Sequence, residues 1–245
     1  MYARLIMELD SNEINYRNSS NLQGVIMENI ASEYAEELHK SQLNPYSQYL
    51  VKKQDKIYWH IHTVTDEAYE KILLPMARLK EVEIKKKNIT AHIANRKIET
   101  EEEKALVDEF YEKDCAKYLK LRFLTPTAFK RDGRYVIYPD LHLVYGSLMR
   151  KYNEASEELG MIDEEVLDQL TEKSSIVKYR LQTIDFPVEK VKIGGFIGEI
   201  TIHILGGETL ARYVRMLCRF GEISGIGIKT GMGMGAMEFN QGGRE

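Results

Sequence analysis

The order in which two hydrophobic periods follow each other does most to limit what this chain can fold into. Ala3, Leu5, Met7 and Leu9 alternate with mostly polar neighbours, the pattern of a half-buried strand. Leu22, Val25, Ile26, Ile30, Tyr34 and Leu38 then recur at helical spacing, in one helix that runs into His39. Pro45 breaks the pattern. Tyr46–Lys53 and Lys56–Val64 read as two strands joined by a Gln54-Asp55 turn. Ala68, Tyr69, Ile72, Leu73 and Met76 mark a second helix, which Pro75 shortens or kinks, and Val82 and Ile84 begin a last strand. The order is β-α-β-β-α-β, the ferredoxin-like unit.

From Lys120 the same order returns. Leu119, Leu121 and Phe123 alternate with Lys120 and Arg122, and a helix over Leu141–Leu159 follows. Strand patterns at Ile176–Asp185 and Phe196–Leu205 come next, then a helix from Glu208 to Gly221 and a final strand through Phe239. The expected fold class is therefore α+β: two tandem ferredoxin-like, RRM-like halves with a cleft between them. The N-terminal half spans residues 1–98, an acidic helical connector near Glu101–Asp114 spans 99–117, and the C-terminal half spans 118–245. Sheets of this unit commonly carry single-stranded RNA on their faces.

Composition narrows the class of partner. The formal charge of −4 and isoelectric point near 6 argue against a general nucleic-acid glue. Acids concentrate in Glu99–Glu112 and Glu154–Glu172, which leaves other surfaces free to be basic. No apolar run is long enough to cross a bilayer, and the start, MYARLIMELDS, lacks a signal-peptide layout. Cys115 and Cys218 show neither disulfide nor zinc-site spacing, so a cytoplasmic protein is expected.

The stretch Gly221–Phe239 concentrates glycine around Lys229 and Thr230. Such a backbone can turn left-handed and point N–H groups at a phosphate. It is neither a Walker loop, since Ile228 precedes the lysine, nor the dinucleotide pattern, since Thr230 stands where a third glycine belongs. Met232, Met234 and Met237 interleave with the glycines, so the loop runs into a packed strand. Arg212, Arg215 and Arg219 share a stripe on the preceding helix, which is either a wet face or a second phosphate contact. His39, at a helix C-terminus, can trade protons with a hydroxyl or a leaving oxygen, or simply interact with the last carbonyls. His60 and His62 point to one face of a strand; with no third ligand at a recognisable spacing, they read as a solvated face and not a metal site. The clusters Lys52–Lys53, Lys85–Lys87 and Lys130, Arg131, Arg134 read as solvated surface.

Four segments in this order carry a resemblance. Gly225-Ile-Gly-Ile-Lys-Thr-Gly-Met-Gly-Met-Gly235 resembles the C-terminal glycine-rich signature of the CRISPR-associated endoribonucleases that cut precursor CRISPR RNA, the sixth Cas family. Leu121–Phe129 resembles that family's entry to its second half, Gly195–Ile202 the strand before its last helix, and Leu38-His39 with Pro45-Tyr46-Ser47 the segment bearing its catalytic histidine. The resemblance implies cleavage within each repeat without metal or cofactor, by 2′-OH attack giving a 2′,3′-cyclic phosphate and a 5′-hydroxyl. It implies His39 as general acid or base. It also implies an RNA-placing surface of Gly225, Gly227, Lys229, Thr230, Gly231, Gly233 and Gly235, to which the stripe Arg212, Arg215, Arg219 is added. Partners would be repeat RNA, as precursor and as mature CRISPR RNA, and proteins of a CRISPR interference complex, with the chain a monomer or homodimer. The family's helix tyrosine is replaced here by Met27, and its lysine by Leu43-Asn44-Pro45, so Lys40, Lys52 and Tyr46 become the candidates for stabilising the phosphorane. A non-cutting repeat-RNA binder and a structural subunit of an RNA-guided complex are the rival readings.

Overall fold

A computed structural model describes residues 1–11, 13–41, 43–112, 115–156, 163–188 and 191–241. Its N-terminal half runs β1 (Tyr2–Asp10), α1 (Ser19–Glu28), α2 (Ser32–Lys40), β2 (Tyr46–Lys53) and β3 (Lys56–Thr63). A helix in three pieces follows: α3 (Asp66–Ala68), a π turn (Tyr69–Leu73) and α4 (Leu74–Ala77). The half closes with β4 (Glu81–Ile84) and β5 (Ile89–Glu101), in a sheet of order β2-β3-β1-β5-β4. Leu5 faces Ile61 and Met7 faces Trp59 across the β1–β3 register, and all four are buried under the helices.

Three local features differ from expectation. The first helix is two, because the Asn29 amide donates to the Val25 carbonyl at 2.8 Å and Ala31 turns extended. Ile30 still packs on the core, which is why the apolar spacing runs through the break. Second, the strand beside β1 is β5, not the Val82–Ile84 strand, which lies beyond it as an edge. β5 is largely exposed and sparsely apolar, so its alternation is faint, and it continues past residue 98 to Glu101. Third, the backbone widens into the π turn just ahead of Pro75, whose ring would meet the carbonyl four residues back in a regular helix.

The connector is α5 (Glu103–Glu112); its expected end at Asp114 lies outside the described residues. The C-terminal half runs β6 (Tyr118–Thr127), a hairpin of β7 (Phe129–Arg131) and β8 (Arg134–Val136), α6 (Leu141–Ala155), α7 (Glu164–Glu172), β9 (Ser174–Val188) and β10 (Val191–Ile204). Then come α8 (Glu208–Ser224), a 3-10 turn (Thr230–Met232) and β11 (Met237–Gln241). The sheet order β11-β6-β10-β9 is that of a ferredoxin-like unit, all antiparallel. The expected helix end at Leu159 lies outside the described residues, and α7 was not expected.

Each half has its own apolar core. They join through buried polar contacts: Ser47 Oγ donates to the Ile223 carbonyl at 2.6 Å, and Gln48 Nε2, which also donates to the Ser19 carbonyl of its own half at 2.8 Å, reaches the Gly231 carbonyl at 3.3 Å. Trp59 Nε1 donates to Gln48 Oε1, fixing that amide's orientation. Among the described residues, no helix is long and apolar enough to cross a membrane.

Candidate active site

His39 lies in the last turn of α2, exposed beside Lys40, while Tyr34 and Leu38 on the opposite face anchor the helix to the core. The chain then turns through Ser41, whose hydroxyl donates to the Leu43 carbonyl, and enters β2 at Tyr46. The Pro45 carbonyl accepts from Val64 N–H at 3.0 Å, so the segment after His39 is tied to the end of β3.

Two cavities flank this segment. One, of about 370 Å³, is lined by Leu38, Leu43 and Asn44 together with carboxylates including Glu37, Glu67 and Glu103. The other, of about 410 Å³, lies between Leu43-Asn44, the β7–β8 hairpin, α6 and the glycine loop, and is lined by Lys130, Arg150, Lys151 and Lys229. Among the described residues, no carboxylate lines it. Tyr135, half exposed, stands at its side. Arg150 and Ser147 went unremarked in the sequence because they fall among apolar positions of α6; their signal was the i, i+3, i+4 spacing of polar residues on a helix otherwise read for its core face.

The glycine loop is held differently from expectation. The N–H groups of Gly225, Gly227, Gly233 and Gly235 are spent inside the protein and are not offered to a phosphate. Gly227 N–H donates to Ser147 Oγ at 2.9 Å, Gly225 to the Gly221 carbonyl, Gly233 to Thr230 and Gly235 to Pro126. Close approach requires glycine at Gly227, Gly233 and Gly235. A Cβ on Gly235 (φ +72°) would lie 1.9 Å from the Ile226 carbonyl oxygen, and one on Gly233 (φ +108°) 2.4 Å from Ser19 Cβ in the other half. Gly231 packs on the Tyr46 ring and its carbonyl accepts from Gln48 Nε2. The loop is a clamp between the halves. Lys229, left-handed at φ 55°, is its exposed cation, and Thr230 is buried.

The remaining candidates part company. Tyr46 is buried in this clamp, its phenol pushed up to about 12 by burial, so it does not face a phosphate beside His39. Lys52 lies six residues along β2 from Tyr46, roughly 20 Å at strand rise, and pairs with Asp55 at 3.0 Å. It borders a separate cavity of about 700 Å³ with Tyr16 and Arg122.

The arginine stripe is neither wet nor directed at the loop. Arg215 is 1% exposed and donates to the Glu109 carbonyl of α5, with its Nε 3.9 Å from that residue's carboxylate. Arg219 meets Glu222, Glu109 and Glu101 at 2.8, 3.5 and 3.6 Å, and Arg212 clasps Glu208 at 2.6 Å and the Tyr111 carbonyl. Glu101 and Glu109, at the acidic connector, join Glu208 and Glu222 of α8 itself in neutralising these charges. His60 and His62 are also not a solvated face. His60 stacks on Tyr49 at 4.5 Å, and His62 is 2% exposed beside the end of α8. Among the described residues, no group of three or more His, Cys, Asp or Glu side chains is placed to hold a metal.

The fold and this arrangement define a protein of two main sheets and a small hairpin sheet, with a cationic cavity at the junction of its halves. Residues 121–237 match the family model described as CRISPR-associated endoribonuclease Cas6. The chain is 37% identical over 220 residues to the CRISPR-associated endoribonuclease Cas6 of Streptococcus thermophilus, covering 89% of each. It is 35% identical to the protein of that name from Mycobacterium tuberculosis, covering 88% of this chain and 69% of the relative. A solved Cas6 product complex superimposes with a TM-score of 0.82 at 22% identity, covering 98% of this chain and 99% of the other. A histidine-to-alanine mutant of a Cas6 has the same fold, with a TM-score of 0.77 at 21% identity over 98% of each chain. This chain belongs to the Cas6 family of CRISPR-associated endoribonucleases.

Proposed function

We propose that this protein cuts precursor CRISPR RNA within its repeats, and that His39 carries a proton in the reaction. The ribose 2′-oxygen upstream of the scissile bond attacks the adjacent phosphorus as its proton leaves. The new O2′–P bond forms, the P–O5′ bond breaks, and O5′ takes up a proton. The products are a 2′,3′-cyclic phosphate and a 5′-hydroxyl. His39 stands at one or the other of these two transfers. The observation that supports this is its exposure on a helix end whose following segment walls a cavity of four cations and, among the described residues, no carboxylate.

Charge develops on the non-bridging oxygens at the phosphorane, and cations fixed nearby stabilise it more than they stabilise the substrate. Arg150 and Lys229 in the cavity wall, with Lys40 beside His39, are the groups available. The glycine loop serves as the wall that sets where Lys229 stands. The retained product, partner proteins of an interference complex and a monomeric or homodimeric state belong to the same proposal, as do the division at residues 98 and 117 and a cytoplasmic site of action.

Labelled repeat RNA incubated with the purified protein tests it. Two fragments are expected in buffer with or without EDTA, and none from RNA carrying a 2′-deoxy sugar upstream of the cut. Normal cutting of the deoxy RNA would make water the nucleophile, and loss of activity in EDTA would make a metal ion part of the chemistry; either removes the mechanism.

A further inference from the structure

Helix α6 sends two polar side chains, one turn apart, beneath the glycine loop. Ser147 Oγ accepts from Gly227 N–H at 2.9 Å. Four residues on, Lys151 is 7% exposed, and its Nζ donates to the Ser224 carbonyl at 3.0 Å, the Gly225 carbonyl at 3.1 Å and Thr230 Oγ1 at 3.0 Å. An ammonium has three N–H donors, and these three neutral oxygens use all of them.

The place is chemically specific. Ser224 and Gly225 end α8, where unpaired carbonyls and the helix dipole favour a cation. Thr230 opens the 3-10 turn on the far side of the loop. One side chain thus joins the two ends of the Gly225–Thr230 stretch and closes it into a fixed arc. Burial, with Arg150 next along the helix as a lesser cause, lowers the lysine to about 7, and the three oxygens are what oppose that shift. A buried lysine is costly to keep, and a methionine would fill the same space without the cost. Lys151 also lines both cavities that flank Leu43-Asn44, the acidic one and the cationic one.

We propose that Lys151 is a positioning residue for RNA cleavage, holding Ser224, Gly225 and Thr230 so that the Gly227–Thr230 wall stands fixed against the segment that follows His39. Lys151 donates to protein oxygens and not to substrate. Its effect passes through the placement of Lys229 and of Leu43-Asn44. This rests on the reading of His39 as the proton-transfer group.

The test measures single-turnover cleavage of labelled repeat RNA, with affinity measured separately in a His39→Ala background. Lys151→Met is expected to slow cleavage about 10- to 100-fold, the scale of an ångström-sized misplacement, while affinity changes less than about threefold. Thr230→Val, which removes one acceptor and keeps the shape, is expected to slow it less, and Thr230→Ser to recover most of that loss. The double variant Lys151→Met/Thr230→Val should be no slower than Lys151→Met alone, because both break one contact.

A Lys151→Met protein that cuts at the wild-type rate overturns the proposal, even if its unfolding midpoint drops, because the lysine is then structural only. Parallel losses of rate and affinity also overturn it, because the lysine then governs binding. Should Lys151→Met fail to fold, Thr230→Val decides alone: full cleavage rate overturns the proposal. Failure of the underlying reading looks different, because His39→Ala would then cut as fast as the wild type.

Discussion

Two helices of the C-terminal half each offer cations near the glycine loop, and the structure uses them in opposite ways. On α8 the three arginines at i, i+3 and i+7 meet Glu101, Glu109, Glu208 and Glu222, so the stripe is neutralised and docks the connector α5. On the α6 side, Arg150 joins Lys130, Lys151 and Lys229 around a cavity that no carboxylate among the described residues lines. Counting positive residues along a helix therefore does not show which side keeps its charge free for a polyanion. What decides it is whether acids from another element arrive to spend the charge, and that depends on tertiary placement.

The largest expected effect lies on the α6 side. Proton transfer by a positioned side chain contributes about 10²–10⁴-fold to rate, whereas a neutral hydrogen bond to a retained ligand is worth only about 0.5–1.5 kcal/mol. His39→Ala should therefore cut the single-turnover rate at least about a hundredfold with affinity held within about tenfold. Cleavage at the original rate would reduce His39 to a helix-end histidine and leave the cavity a binding surface alone.

Removing a cation on the α8 side should damage the fold instead. Arg215→Met leaves Glu109 with Arg219 but strips the buried end of the α5–α8 contact. Breaking a buried pair from one side costs about 3–5 kcal/mol, and the partial exposure of Glu109 puts this case near the lower end. Urea unfolding would read the loss, and the salt dependence of RNA binding should stay as in the wild type. A stable Arg215→Met protein with a flattened salt dependence would return the stripe to the RNA surface.

How much of this was legible beforehand follows the same division. Period-2 and helical spacing sufficed for both ferredoxin-like units, because Leu5, Met7, Leu121 and Phe123 are buried on one face of their strands. β5 was faint because its side chains are mostly exposed, and the α1–α2 break was hidden because Ile30 keeps the apolar rhythm through it. The loop's importance was visible in its glycines. Its partner was not: Gly231 faces Tyr46, and Gly233 faces Ser19, more than two hundred residues away in sequence. His39 could be singled out by its helix-end position and by family resemblance. Lys151 could not, since a lysine between Arg150 and Tyr152 looks like surface until α8 ends on top of it.

The histidine pair sharpens the view that the α8 side is structural. Burial lowers His62 to about 3 and His60 to about 4, with nearby positive groups as lesser causes. Both are therefore neutral in the folded state, whereas in the unfolded chain they bind protons near the ordinary value of about 6.5. The unfolded state gains protons as pH falls, so this contribution is full above about 6.5 and is lost progressively toward 4. Each histidine should contribute a slope of about 1.4 kcal/mol per pH unit in that window. Urea midpoints between pH 7.5 and 5.0 should fall accordingly, with His62→Leu removing about half of the slope; an unchanged slope would mean that the pair stays wet.

The smallest expected effect separates the two helices most directly. Each phosphate neutralised on a single strand adds roughly 0.7 to the slope of log affinity against log salt concentration. Lys229→Ala and Arg150→Ala should each reduce the slope by about that amount, because among the described residues no carboxylate lines the cavity to neutralise the cation each removes. Arg212→Ala should leave the slope alone, since that guanidinium already holds Glu208 and the Tyr111 carbonyl and releases no counterion on binding. The measurement is a titration of labelled repeat RNA at several salt concentrations, in a His39→Ala background so that the RNA stays whole. Equal changes for Lys229 and Arg212 would erase the distinction between the two sides. A change for Arg212 alone would invert it, and would place the RNA over α8 and the connector, away from His39.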